Sequence, residues 1–352
     1  MDIKKKPRIN QTIVLGAGAS KSEGAPLQSE LLSEFGVSKK QVFTNNLNKF
    51  EDLLFKYFNK FWGINSKNSQ SINFPTFEEC LGVLDLAYAR GEGFRKTYRK
   101  NKIDKCRDAL IYLIAEIIKN KLHEQVKYHN LLLNRLRHED KLLNTAFISL
   151  NYDIIIDNEL TNLYEEGYHL DYAVDFVNFH RLDGWEKPIP GKRVLLLKPH
   201  GSLDWVYCPI CNHLELTPKV KGAIQAIMGE MECIECGGKL EPVIIPMTFF
   251  KEMNNPFIQQ VYNKADEVLR SSDTIYFCGY SFPDADLHIK YLLKRAETFR
   301  GKTPDIYIIN EHPGKTICER DDEITRYKRF FKTKSKVNYT KETFEEFCTD
   351  GI

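Results

Sequence analysis

The chain has 352 residues, 42% of them hydrophobic and 28% charged, with a formal net charge of +2. That composition supports a sizeable core in one large or two modest domains, and the near balance of charge announces no nucleic-acid partner while leaving direct nucleic-acid binding open. Met1-Asp2-Ile3-Lys4 leads into no apolar run of the kind a secretory leader needs, and no stretch approaches the ~18 apolar residues of a membrane span, so a soluble, cytoplasmic protein with no membrane partner is expected. The basic cluster Lys4-Lys5-Lys6-Pro7-Arg8 reads as a solvated tail, with a nucleic-acid or partner contact as the sharper alternative.

Short apolar runs recur along the chain, at 12–15, 146–150, 194–197, 243–245, 274–277 and 306–309. None alternates with polar residues, which predicts strands buried on both faces of a parallel sheet. Between them lie helical patterns. Thr76-Phe77-Glu78-Glu79 has the form of a capping box, residues 105–144 carry an apolar stripe, and Pro283-Asp284 is placed to open a helix. The first two strands are too far apart for one crossover helix, so a helical insertion is expected at 31–144. Residues 1–30 and 145–352 then form a Rossmann-like, doubly wound α/β domain. The polar segment 65–73 reads as a loop. The tail after 312 predicts one strand near 336–339 and one helix near 343–347.

The polar residues that follow the strands carry the chemistry, because open α/β sheets bind ligands at their carboxyl ends. Gly16-Ala17-Gly18-Ala19-Ser20 follows the first strand. Its glycines allow a sharp turn and close approach to a pyrophosphate, although Lys21 stands where a full fingerprint has a third glycine. Asn151-Tyr152-Asp153 offers an amide and a carboxylate, or simply an Asx turn. Lys198-Pro199-His200-Gly201-Ser202-Leu203-Asp204-Trp205 places an imidazole that titrates near neutrality at a strand end, with Trp205 read as packing. Gly279-Tyr280-Ser281-Phe282-Pro283-Asp284-Ala285-Asp286 and Asn310 end two further strands.

Cys208-Pro209-Ile210-Cys211 and Cys233-Ile234-Glu235-Cys236 form two CxxC pairs of the spacing that holds zinc. Four thiolates close the coordination sphere, so Cys208, Cys211, Cys233 and Cys236 predict a structural Zn2+ in a small module over 206–242. A zinc-ribbon nucleic-acid binder is the weaker reading, since Lys219, Lys221 and Lys239 are offset by Glu215, Glu230, Glu232, Glu235 and Glu241.

In this order, Gly-Ala-Gly-Ala-Ser, Asn-x-Asp, His-Gly, two CxxC pairs, Gly-x-Ser and a strand-end Asn, the chain resembles the sirtuin family over roughly residues 12–312. The segments 198–205 and 279–284 are similar to bacterial sirtuin-like NADases of antiphage defence. Gly24-Ala25-Pro26-Leu27-Gln28 lacks the Phe and Arg of the deacylases' Gly-Ile-Pro-x-Phe-Arg, whereas the CxxC pairs keep a protein-lysine deacylase as the alternative. The resemblance implies NAD+ as substrate, cleaved to nicotinamide and ADP-ribose. It implies Asn151, Asp153 and His200 as catalytic residues, and Gly16, Ala17, Gly18, Ser20, Pro26, Gly279, Ser281 and Asn310 as the binding set. It also implies homo-oligomers, gated by a partner such as a hexameric HerA-type DNA translocase.

Overall fold

Apolar runs without polar alternation need neighbours on both edges and cover on both faces, and the chain supplies them. In the computed structural model, which describes residues 8–27, 30–32, 48–64, 74–94, 96–121, 126–177, 192–217, 226–229, 231–245 and 255–352, seven strands form one parallel sheet. β1 (Gln11–Leu15) lies at its middle, paired with β2 (Thr145–Ser149) on one side and β8 (Thr274–Cys278) on the other. Beyond β2 come β4 (Arg193–Leu197) and then the short β3 (His169–Asp171); beyond β8 come β9 (Asp305–Ile309) and then β10 (Val337–Tyr339). Ile13, Val14, Phe147, Leu196, Phe277 and Ile308 are all buried in the core around this sheet. The doubly wound α/β reading therefore holds. Lys4–Pro7 of the basic cluster, Gln28, the 65–73 loop, Lys219, Lys221 and Glu230 lie outside the described residues.

One predicted central strand belongs elsewhere. Residues 243–245 fall in and after β7 (Glu241–Ile244), an edge of a three-stranded antiparallel sheet, order β6-β5-β7, with β5 (Gly201–Tyr207) and β6 (Leu214–Leu216). Pro242 explains the placement, because a residue without an N–H is confined to edges. β5 escaped prediction because Gly201, Ser202 and Asp204 make it look like a loop, yet the whole of 201–206 is buried.

The first helix, α1 (Ala17–Lys21), follows β1 directly, and α2 (Asn48–Trp62), α3 (Phe77–Ala89) and α4 (Lys100–Lys121) follow it before β2. α3 starts at the predicted capping box: the Thr76 hydroxyl accepts from the Glu79 N–H at 3.2 Å, and the Glu79 carboxylate accepts from the Thr76 N–H at 2.7 Å. α2, α3 and α4 share a second core, to which Tyr152 and Leu203 of the sheet domain contribute. The stretch 105–144 is not one helix. α4 ends at Lys121, and α5 (Tyr128–His138) packs its Leu132, Leu133 and Leu136 into the main core instead.

α6 (Ile155–Thr161) follows β2, α7 (Pro256–Ser271) precedes β8, and α8 (Leu287–Arg300) follows it. α8 begins three residues beyond the predicted Pro283-Asp284 start, because Asp284 pairs instead with Lys290 at 2.9 Å and Arg329 at 2.8 Å. The tail holds the expected strand β10 and helix α10 (Phe344–Asp350), and between β9 and β10 a further helix, α9 (Ile317–Phe330). Only Glu323 and Tyr327 of α9 are buried, so it lacks the apolar stripe that announces a helix; its capping box, Thr316 with Glu319, was the available signal. No described helix is long and apolar enough to cross a membrane.

Candidate functional site

The sheet changes winding direction between β1 and β8, and the residues after those strands meet there. Leu15 and Cys278 are register partners, so the turns that follow leave the sheet at the same level. The Gly16 N–H donates to the Cys278 carbonyl and the Gly18 N–H to the Gly279 carbonyl, each at 2.9 Å. A Cβ on Gly16 would come within 2.5 Å of the Gly279 carbonyl oxygen, and one on Gly279 (φ +62°) within 2.0 Å of the Ala19 nitrogen. The glycines thus let two loops touch, and two of the N–H groups expected to face a pyrophosphate are engaged within the fold.

The amide, hydroxyl and carboxylate of the predicted set form one relay. The Asn151 side-chain amide donates to the Ser20 hydroxyl at 2.8 Å and to the Gly16 carbonyl at 2.9 Å, and the Ser20 hydroxyl donates to Asp153 at 2.7 Å. The other Asp153 oxygen accepts from the Ile155 N–H at 3.2 Å, at the start of α6. Ser20 and Asp153 are buried, whereas Asn151 is half-exposed and none of these bonds uses its amide oxygen. That atom is the acceptor the arrangement leaves for water or a sugar hydroxyl.

His200 stands beside this relay. Its Nδ1 lies 3.2 Å from the Leu150 carbonyl, the peptide that leads into Asn151. A carbonyl only accepts, so Nδ1 carries the hydrogen and Nε2 is the atom that can take up a proton. Nε2 lies 3.7 Å from Asp286, whose second oxygen accepts from the Tyr280 hydroxyl at 2.9 Å. A buried carboxylate at that distance stabilises an imidazolium once it forms. His200 and Asp286 are both fully buried. Gly201 must be glycine: its φ is +78°, and a Cβ there would sit 1.9 Å from the Val243 carbonyl oxygen. That approach lets the Ile245 N–H reach the His200 carbonyl at 2.9 Å and locks the strand end.

The remaining predicted residues make no hydrogen bond to this centre among those described. Pro26 is half-buried just after Gly24 (φ +93°) and Ala25, whose N–H returns to the Ser20 carbonyl at 3.1 Å. Ala17 is half-buried in the glycine turn. Ser281 is exposed, and its carbonyl accepts from Arg326 at 3.2 Å. The Asn310 amide donates to Glu323 at 2.5 Å, and its carbonyl accepts from Lys315 at 2.6 Å. Asp286 and Glu23 were not singled out from sequence. Asp286 closes the quoted Gly279–Asp286 motif, but nothing in the local sequence gave it a role. Glu23 accepts from the N–H groups of Lys127, Tyr128 and His129 at 3.0, 2.7 and 3.0 Å and contacts the His129 ring at 3.1 Å, anchoring the segment after the glycine turn to α5. Burial pushes its carboxyl up, but those hydrogen bonds outweigh it and hold the pKa near 2.

The four cysteines of the CxxC pairs come together, with every sulfur within 4.8 Å of the others. Cys208 and Cys236 are 3.4 Å apart, and Cys211 and Cys233 are 3.5 Å apart. Sulfurs on a tetrahedral zinc with ~2.3 Å bonds sit roughly 3.8 Å from one another, so the set fits a closed four-thiolate site. Without a metal the thiols differ: burial raises Cys208 but the N–H groups of Cys211 and Ile210 bring it down to about 7, whereas Cys211 and Cys233 are pushed up, chiefly by burial.

Among comparisons with known proteins, the family match is the one that decides. The family described as SIR2-like domain matches residues 145–336, more than half of the chain. No curated protein matches. Among solved structures, one titled "Structural Basis for the Mechanism and Regulation of Sir2 Enzymes" is similar over 98% of this chain and 91% of its own, at 13% identity and a TM-score of 0.44. "Structure of Sir2Tm bound to a propionylated peptide" covers 96% and 90% at 12% identity and 0.43, and "The Structural basis of Sirtuin Substrate Affinity" covers 100% and 98% at 13% and 0.42. On the family match, which spans the Asn-x-Asp turn, the His-Gly strand end, the cysteine pairs and the Gly-x-Ser loop, this chain belongs to the SIR2-like domain family of the sirtuin superfamily.

Proposed function

We propose that the chain is an NAD+ glycohydrolase that releases nicotinamide and leaves ADP-ribose. One observation carries the reading: the Asn151–Ser20–Asp153 relay and His200 meet at the glycine turn, on the carboxyl side of the switch point. Nicotinamide leaves NAD+ as a neutral ring, so no acid has to protonate it. The barrier is the positive charge that develops on the ribose, and it falls when the sugar is held and that charge is stabilised. Asn151, through its free amide oxygen, and Asp153 orient the ribose and the attacking water. His200 accepts a proton at Nε2, and Asp286, 3.7 Å from that same nitrogen, stabilises the charge. Gly16, Ala17, Gly18, Ser20 and Pro26 line the pyrophosphate side, and Gly279, Ser281 and Asn310 the adenosine side. Cys208, Cys211, Cys233 and Cys236 hold a structural Zn2+, which shapes the module and takes no part in the reaction.

The assigned setting is cytoplasmic antiphage defence by NAD depletion, in a homo-oligomer gated by a HerA-type ATPase. The test is nicotinamide release from NAD+, followed by chromatography, with the pure chain and with its neighbouring gene product. Absence of nicotinamide under both conditions refutes it. The retained cysteine cluster is the observation that favours a second reading, an NAD-dependent protein-lysine deacylase. An acetylated peptide supplied with NAD+ separates the two, because only a deacylase converts it to O-acetyl-ADP-ribose.

A further inference from the structure

Lys198, at the end of β4, has no part in the chemistry above, yet it is fully buried. Its ammonium donates to the Asp153 carbonyl at 2.5 Å and to both oxygens of Asp157 at 3.2 and 3.0 Å. The Tyr172 hydroxyl donates to the same Asp157 at 2.7 Å, and the Tyr172 ring is fixed edge-on against Trp205 at 5.3 Å. A second buried carboxylate, Asp204 on β5, lies in the same neighbourhood. Burial and repulsion from Asp157 raise its pKa to about 7 against the pull of Lys198.

Stability does not explain this arrangement. Desolvating two charges costs about what their attraction returns, and replacing both by apolar groups is often neutral or stabilising. Position does explain it. Lys198 belongs to the strand end that carries His200, two residues on. Its bonds reach across to the turn after β2 and the first turn of α6. One side chain therefore ties the two segments from which the proposed catalytic groups come. We propose that Lys198 is a positioning residue: together with Asp157 and Tyr172 it holds the Asn151–Asp153 turn in place against His200, so that amide, carboxylate and imidazole address one ribose. The inference rests on the NAD-cleaving reading and extends it to residues that touch no substrate.

The test uses the full chain with Lys198→Met and Asp157→Asn combined, which removes both charges and keeps an acceptor for Tyr172. Tyr172→Phe serves as a second variant that keeps the ring packing and loses one bond. Two readouts are taken, steady-state NAD+ cleavage and amide deuterium uptake. The double variant is expected to lose about 10²-fold in kcat with KM for NAD+ within about threefold, the mark of misplaced groups and intact binding. Peptides covering 151–157 should exchange faster while β8 and β9 stay protected. Tyr172→Phe should show the same pattern, smaller, and it carries the test if the double variant does not fold. Unchanged uptake over 151–157 in a folded variant, or a kcat equal to the parent's, overturns the proposal. If the parent chain releases no nicotinamide, the glycohydrolase reading fails while deuterium uptake still decides the positioning.

Discussion

Substituting Gly279 by alanine tests whether the glycine turn exists to let two loops touch. The new Cβ would lie 2.0 Å from the Ala19 nitrogen and 2.4 Å from the Gly18 carbonyl carbon, both backbone atoms of α1 that no rotamer change can move away. The φ of +62° adds a strain of ~1–2 kcal/mol for any residue with a Cβ. Forcing the overlap apart adds a further ~1–3 kcal/mol. Gly301, at the end of α8, provides an internal control: its φ is +69°, and an added Cβ meets nothing within 4 Å. Gly301→Ala should therefore show the backbone strain alone, and Gly279→Ala the strain plus the overlap. Urea unfolding, read through the fluorescence of the buried Trp205, should separate the two variants by about 1–3 kcal/mol. Equal destabilisation by the two substitutions would show that the loops part freely and that the close approach has no consequence.

Asn151→Ala and His200→Ala should each nearly silence nicotinamide release. For His200 the expected loss is ~10²–10⁴-fold, the usual contribution of an acid–base group, and near-normal turnover in either variant removes that residue from the mechanism. Metal analysis should find one zinc per chain, and Cys211→Ser should lose it together with protease resistance around 206–242; a metal-free parent chain of full stability would contradict the site. Glu23 supplies a pH test. Its pKa is lowered from 4.5 to about 2, so its contribution is complete above pH 4.5 and disappears as the pH falls toward 2. The parent chain should lose on the order of 3 kcal/mol over that window relative to Glu23→Gln, and matching pH profiles for the two would refute the anchoring role.

What sequence made legible here is whatever neighbouring residues settle among themselves. The unbroken apolar runs of β1, β2, β4, β8 and β9 had to be buried on both faces, the Thr76–Glu79 box had to start a helix, and CxxC spacing brings two thiolates to one point. The order of motifs carried the family. Which of those residues bond to one another was not legible, because they lie far apart in the chain. Ser20 meets Asn151 across 131 positions and Glu23 meets His129 across 106, and only the sheet order brings them together. Likewise the polar look of 201–204 conceals a strand, since burial of Ser202 and Asp204 depends on β6 and β7 arriving on either side. Local periodicity is a property of the chain, but which strand ends share a crevice is decided by pairing across the whole sheet. Tertiary structure alone therefore set Asp286 beside His200 Nε2 and Lys198 against the Asn151–Asp153 turn.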